Sequence, residues 1–278
     1  MGVVAHHRGL AAGEELGRLS SERLRSLIRQ GVYRGNTKGL AHRKLQASIV
    51  ILSRRFAGDF LKFCTRNSKP LPVVGVGQAG SAMLAGLGEI DVRTDVPQFD
   101  IYRFGALVER RSNVLDLWRE DFAAFAIGCC FTFEHALSDR GIKIRGLRRG
   151  RTVPMFRTMI NTVPVGLFGG EMVVSMLPIR RCDVDKVRAI TARYPHAHGA
   201  PIHVGDPAVL GIRDIERPDW GEPLPIAADE VPVFWASCGT ARNALQRAEL
   251  EIFITETPGR MLVTEMDHQS DVGFFKVF

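Results

Sequence analysis

VPVFWASCGTARNAL, residues 231–245, passes from a short apolar segment directly into a helical one, and LEIFIT, residues 250–255, follows as another apolar segment. The first segment is short and almost uniformly apolar, the pattern of a strand buried on both faces rather than of one half open to water. Residues 239–247 form the helix after it, and 250–255 the next strand. Strand, helix and strand in succession are the unit of an α/β fold.

The same alternation is found towards the N-terminus. Leu16, Leu19, Leu24, Leu27 and Ile28, with Gly31 as a stop, predict an amphipathic helix over 14–30. Leu45, Ile49, Leu52, Phe56 and Phe60 stand three or four residues apart and predict a helix over 40–64. LPVVGV (71–76) reads as a buried strand, followed by a Gly-rich turn and a short helix over 81–87. In the middle of the chain, DIYRF (100–104) and ALVER (106–110) flank a glycine as a hairpin does. Residues 114–139 carry Leu115, Trp118, Phe122, Phe125, Phe133 and Leu137 at helical spacing, with a break near Gly128. IKIRG, TVPMFRTMI and EMVVSMLPI read as strands, 183–193 as a charged helix and 195–225 as loop. The expected architecture is a two-domain α/β fold. Residues 1–96 and 199–278 build a three-layer α/β/α body, and 97–198 form a smaller inserted α+β two-layer unit.

Length and composition agree with a folded chain of this kind. The 278 residues are 45% hydrophobic and 24% charged, the balance of a soluble globular protein. No apolar run reaches the ~18 residues of a membrane span, and the N-terminus lacks the apolar core of a secretory signal, so a cytoplasmic location is expected. The cysteines, Cys64, Cys129, Cys130, Cys182 and Cys238, are odd in number and irregular in spacing. Neither a disulfide framework nor a zinc knuckle follows from them, and reduced thiols are expected. The net charge of +7 comes from scattered arginines, apart from RGLRRGR at 145–151. There is no basic stripe and no aromatic reading platform, which argues against nucleic acid. An anionic small molecule remains compatible with the charge.

Five stretches carry chemistry. Gly75-Val-Gly77-Gln-Ala-Gly80 follows an apolar strand as a dinucleotide loop does, but the glycines at 86 and 88 and the acidic segment that follows favour a plain tight turn. DVRTDVP (91–97) packs Asp91, Arg93 and Asp95 together, either to orient an ammonium and a carboxylate or to pair with itself. In AIGCCFTFEHAL (126–137), Glu134 next to Phe131 and Phe133 is a candidate for proton transfer, because burial raises a carboxyl pKa; the two thiols read as small core residues. HAHGAPIHVGDP (196–207) offers His198, His203 and Asp206 for acid–base or substrate-binding work without the spacing of a metal site. At the strand–helix junction, Cys238 and Thr240 face free helix N–H groups, where an anion binds or a thiol pKa falls; ordinary capping is the competing reading.

Taken in order, many of these segments resemble one family, the bacterial "putative hydro-lyase" family that includes D-glutamate cyclase. The resemblance runs from about residue 34 to 265 through Gln46-Ala47 with IVIL, AGDFLKFCTRN (57–67), DVRTDVP, Trp118 to Asp121, GCCFTFEHAL, VPMFRTMI, GEMVVSMLPI, ITARYPHAHGAPIHVGDP, PVFWAS and PGRMLVTE. It implies a two-domain α/β architecture and a lyase that eliminates water, closing D-glutamate to 5-oxo-D-proline. Such a site needs a cation for the substrate carboxylate, with Arg93 and Arg157 as candidates, and proton-transfer groups, with Glu134, His198, His203 and Asp206 as candidates. Asp95, Cys238 and Thr240 complete the expected binding set. The partner is a small amino acid; no cofactor, metal, membrane or nucleic acid is called for, and a homo-oligomer is compatible. The chain departs from the family pattern at two places. Where the family resembles WACGVTPQ, this chain has Trp235-Ala-Ser-Cys-Gly-Thr-Ala-Arg242. Where the family resembles THAPGHM, it has Thr255-Glu256-Thr257-Pro258-Gly259-Arg260-Met261. The lost histidines favour a catalytically silent relative that binds a small acidic ligand as a partner or regulator. The retained acid–base residues favour an enzyme, acting on glutamate or on another amino acid.

Overall fold

The segment predicted as a helix over 40–64 is half strand. In the computed structural model, which describes residues 16–142, 144 and 152–269, β1 spans Lys44–Ser53 and is buried along almost its whole length. Burial on both faces removes the alternation that would have marked a strand, and the 3–4 spacing of its leucine and isoleucines is incidental. Ile49-Val-Ile51 is a β-branched run, which stiffens χ1 and suits a pleated surface. The helix begins only after Ser53, whose Oγ accepts from Arg55 N at 3.3 Å, and α2, which follows the earlier helix α1 (Ser21–Arg29), spans Arg54–Arg66. The segment 114–128 is corrected for the same reason. β5 (Phe122–Gly128) is buried at every position, and α3 (Phe131–Asp139) follows. The short helix expected over 81–87 is absent. Gly80, Gly86 and Gly88 have φ of +82°, +82° and +116°, left-handed conformations that a helix does not contain.

The hairpin reading holds. β3 (Phe99–Arg103) and β4 (Ala106–Arg111) pair antiparallel around Phe104 and Gly105, whose φ values of +48° and +78° are those of a two-residue turn matched to strand twist. β2 (Val73–Val76) follows LPVVGV closely. Further on come β6 (Met155–Asn161), β7 (Glu171–Arg180), α4 (Val184–Ala192), the two-residue β8 (His203–Val204), β9 (Glu230–Ala236), α5 (Gly239–Arg247), β10 (Phe253–Glu256) and β11 (Leu262–Asp267). The basic run at 145–151, and all of IKIRG except Ile142 and Ile144, lie outside the described residues.

These elements form a mixed α/β fold with two sheets, and every strand pairing is antiparallel. A seven-stranded sheet has the order β2-β5-β1-β10-β3-β4, with β11 also on β1. A four-stranded sheet has the order β6-β7-β9-β8. The chain builds β1 to β5 in the first sheet, all of the second sheet, and then returns to the first with β10 and β11. Sheet membership does not follow a division at 97 and 198. β3, β4 and β5 pair with first-sheet strands, while β8 and β9 belong to the second. Hairpin signals are local; which sheet a hairpin joins is set by long-range register, here Asp100 opposite Thr255 and Ala126 opposite Ile49.

β1 is the centre of the first sheet. One edge takes β5; the other takes β10 at Val50–Leu52 and β11 at Lys44–Ala47. Between β10 and β11 the chain leaves the sheet over 257–261, opening a gap beside Ser48 and Ile49. Phe60, Phe63, Ala241, Ala244 and Leu245 of α2 and α5 cover one face of this sheet. The irregular segment 82–96 covers the other. On the second sheet, Phe133, Leu137 and Val187 of α3 and α4 pack against Val173, Leu177 and Trp235. α5 thus starts at the end of a second-sheet strand and buries its apolar side on the first sheet, which brings its N-terminus between the two.

Candidate active site

A pocket opens at that junction. Its lining includes Ser48 of β1, Cys129 and Cys130 of the β5–α3 link, Phe131 at the start of α3, Ser175 of β7, Ser237 and Cys238 ahead of α5, Arg242 of α5, and Glu256 at the end of β10. The cavity volume is about 30 Å³, against roughly 300–1,000 Å³ for pockets that enclose drug-sized ligands. That is room for a water or two, so the lining must part to admit a substrate.

Glu256 fills the gap left where the chain departs from β1. Its Oε2 accepts from Ser48 Oγ and from Ile49 N, both at 2.8 Å. The side chain is buried, and Arg242 Nη2 stands 3.6 Å from Oε1. Burial pushes the carboxyl up to about 8; Arg242, Ser48 and the Ile49 amide pull against this, and neighbouring Cys238 adds to it. Arg242 is itself 8% exposed. Its Nη2 donates to Glu256 O at 2.9 Å and Thr255 Oγ1 at 3.4 Å, while Nε is buried without a hydrogen-bond partner. A buried guanidinium with an unpartnered donor, beside a carboxyl that burial raises, is chemically able to anchor a carboxylate.

The thiols sit beside this pair. Cys129 and Cys130 have their sulfurs 4.0 Å apart. Cys238 stands at the N-cap of α5, with Cys129 and His198 as its ionisable neighbours. The Cys129 hydrogen bond, then His198 and Arg242, hold the Cys238 thiol well below its usual range in spite of burial. Hydrogen bonds to Cys130 and Cys238, followed by burial, push Cys129 the other way. His198 reaches the site through an unusual backbone. It has φ +74°, a left-handed position that costs a non-glycine residue roughly 1–3 kcal/mol, and it is 1% exposed. Lys69 holds it twice. The Lys69 carbonyl takes His198 Nδ1 at 3.1 Å, and Lys69 Nζ donates to the His198 and Ala200 carbonyls at 3.1 and 2.8 Å. Gly128 lets the loop approach, because a Cβ there would stand 1.6 Å from His196 O.

Of the residues singled out from sequence, Cys238 lines the pocket, His198 touches Cys238, and Thr240 sits one helical step away with its Oγ1 on Val173 N at 3.0 Å. The others are held elsewhere. Arg93 binds Asp91 through Nε and Nη2 at 2.9 and 2.7 Å, the self-pairing alternative. Asp95 is fully buried and engaged by Arg25, Arg29 and the Asp91 amide. Arg157 pairs with Asp219 at 2.6 Å over the Trp220 ring. His203 Nε2 binds the Asp206 carbonyl at 2.7 Å, and Asp206 caps the turn at Ala208. Glu134 is buried with a raised pKa, as its neighbours predict, but it pairs with Lys38 at 2.9 Å and does not line the pocket. Residue chemistry alone passed over Arg242, Glu256, Ser48 and Cys129. The sequence carried a signal for two of them: Arg242 and Glu256 fall in the two segments that differ from the resembling patterns WACGVTPQ and THAPGHM. Among the described residues, no three His, Cys, Asp or Glu side chains are placed to hold a metal ion, and no helix is long and apolar enough to cross a membrane.

Comparison with known proteins bears on the whole chain. Residues 123–265 match the family model described as D-glutamate cyclase, a span that holds Cys129, His198, Cys238, Arg242 and Glu256. A "putative hydro-lyase" of Cupriavidus taiwanensis is 48% identical over 88% of this chain and 92% of its own length. Proteins of the same name from Jannaschia sp. and Pseudomonas aeruginosa are each 47% identical, over 91% and 90% of this chain and 96% and 95% of theirs. A nitrogen repressor-like protein from Methanococcus jannaschii overlaps at a TM-score of 0.38 with 8% identity over 90% of this chain and 99% of that one, too slight a likeness to bear on function. The pocket residues thus fall within a family match that takes in half of the chain, and its relatives share nearly half their residues along nearly their full length: this chain belongs to the D-glutamate cyclase family of bacterial hydro-lyases.

Proposed function

We propose that the protein is a lyase that closes an acidic amino acid, D-glutamate in the first instance, to its lactam with loss of water, and that the pocket of Cys238, Arg242 and Glu256 is where it does so. The observation that carries this reading is the Arg242–Glu256 pair. The reaction needs a cation for the α-carboxylate and an acid for the oxygen that leaves. Arg242 offers an unpartnered buried Nε, and Glu256 is a carboxyl that burial keeps protonated near neutral pH. Holding amine and side-chain carboxyl together supplies much of the rate of an intramolecular closure. The altered family positions then form a matched pair: glutamine and histidine in the family pattern, arginine and glutamate here.

A proton NMR time course of the purified protein with D-glutamate, and separately with 5-oxo-D-proline, tests the reading. Interconversion lost in Arg242→Gln, with the fold retained, is the expected result. No turnover of either compound by folded wild-type protein overturns D-glutamate as the substrate. If the protein then also fails to act on other acidic amino acids, the silent-relative reading takes its place.

A further inference from the structure

The geometry points to Cys238 as the catalytic base of this pocket, with His198 as the residue that positions and shares its proton. This rests on the reading of the pocket as the active site. Four observations lead to it, two on the His198 turn and two on α5. First, a carbonyl only accepts, so His198 Nδ1 must carry the proton that binds Lys69 O at 3.1 Å. That leaves Nε2 on the side of Cys238, buried and without a hydrogen-bond partner. The second imidazole nitrogen is therefore free to exchange a proton with the sulfur, accepting from a thiol or, once protonated, facing a thiolate. Second, the protein maintains His198 in a left-handed backbone conformation behind two bonds from Lys69 Nζ, and strain of this kind persists only where the surroundings enforce it. Third, Cys238 begins the nine-residue helix α5, whose free N–H groups favour a negative sulfur. Fourth, the buried, unpartnered Nε of Arg242 lies in the same lining, so the thiol faces a place already fitted for an anion.

The ionisable and polar groups around the Cys238 sulfur are Cys129 from the β5–α3 link, His198 from the 195–199 turn, Arg242 from its own helix and Glu256 from β10. Cys129, His198 and Arg242 favour the thiolate; a protonated Glu256 does not oppose it. The arrangement matches a zwitterionic substrate, with ammonium towards sulfur, α-carboxylate towards Arg242 and side-chain carboxyl towards Glu256. The protons balance as follows. The Cys238 thiolate takes one proton from the ammonium, and Glu256 gives its own to a side-chain carboxylate oxygen. The amine lone pair then attacks that carboxyl carbon. The Glu256 carboxylate takes the second nitrogen proton, the C–O bond breaks with its electron pair on oxygen, and the Cys238 thiol returns its proton to the departing hydroxyl. Lactam and water leave, and both side chains end as they began.

Far-ultraviolet thiolate absorbance, followed against pH in reduced wild-type protein and in Cys238→Ser, tests this without relying on turnover. The expected result is a thiolate present near neutral pH that Cys238→Ser abolishes. In His198→Asn, where asparagine tolerates the left-handed backbone, its midpoint should move upward by at least tenfold in proton concentration. Cys238→Ser and Cys238→Ala should both abolish D-glutamate turnover while keeping the wild-type circular dichroism. The inference is overturned if thiolate absorbance in the wild type appears only towards the ordinary value of 9.0, or if turnover survives both Cys238 substitutions. A Cys238-dependent neutral thiolate in a protein that leaves D-glutamate untouched supports the dyad and overturns the proposed substrate, so the two failures are distinguishable.

Discussion

Glu134 and Glu256 are both buried carboxyls facing one cation each, but they sit in different company. Glu134 on α3 meets Lys38 directly at 2.9 Å, beneath the Phe131 ring that Lys38 also approaches at 5.6 Å. Arg242 lies farther from Glu256, at 3.6 Å from Oε1, and spends its good hydrogen bond on a backbone carbonyl. Burial raises both groups, and the close Lys38 opposes the rise at Glu134. At Glu256 the thiol of Cys238 pushes in the same direction as burial. A tight ion pair answers its own charges and serves the fold. A loose one, with a spare donor beside a pocket, leaves charge and proton available to a ligand.

The largest expected effect separates the two by function. Glu256→Gln keeps the shape of a neutral acid and removes its proton, so turnover should fall about 10²–10⁴-fold, the usual span for losing a general acid. Glu134→Gln should leave turnover within a few-fold of wild type. Equal losses at both positions, measured as kcat on folded protein, would erase the functional distinction.

The contrast also shows where sequence reading reached and where it ended. That a carboxyl among Phe131, Phe133 and Leu137 would be buried was legible, because neighbours along a helix are neighbours in space. Which buried carboxyl meets a pocket was not, because that depends on 257–261 leaving the sheet beside Ser48. The strand–helix junction at 231–245 was legible for the opposite reason: a strand end and a helix start are local, and Cys238 came with them. His198 was named from its loop, but its link to Cys238 needs Gly128 to admit the loop's backbone, a contact between positions 68 residues apart in number that no pattern encodes. β1 and β5 were misread as helix because strands buried on both faces carry no alternation to read.

A smaller effect sharpens the comparison in stability. Removing one partner of a buried ion pair typically costs about 3–5 kcal/mol. Lys38→Met should approach that figure in urea denaturation at neutral pH, since Glu134 loses its direct partner. Arg242→Met should cost clearly less, because Glu256 is already able to hold a proton there. The reverse order would mean that the Arg242 pair carries the fold and that Lys38 is the spare cation.

The last effect depends on pH and has a definite sign. A free glutamate titrates at 4.5, whereas Glu256 in the folded protein does so at about 8. Between those values the folded state binds the proton and the unfolded state does not, so the slope of stability with pH from this group is negative. Its contribution is complete below about 4.5 and is lost as pH rises through about 8, with a total of a few kcal/mol for a shift of this order. Cys238 acts in the opposite sense: its lowered thiol binds fewer protons folded than unfolded, which makes stability rise with pH up to its ordinary value of 9.0. Wild-type protein alone therefore shows two slopes that partly cancel. Comparing it with Glu256→Gln at each pH isolates the carboxyl, because Cys238 is present in both. The substituted protein should gain on wild type steadily as pH rises through the window and run level with it below. Glu134→Gln should show a gain of the same sign but smaller, because the close Lys38 opposes the rise of that carboxyl. Parallel curves for wild type and Glu256→Gln would show that Glu256 is ionised in the folded state after all, and the acid in the pocket would have to be sought among its thiols.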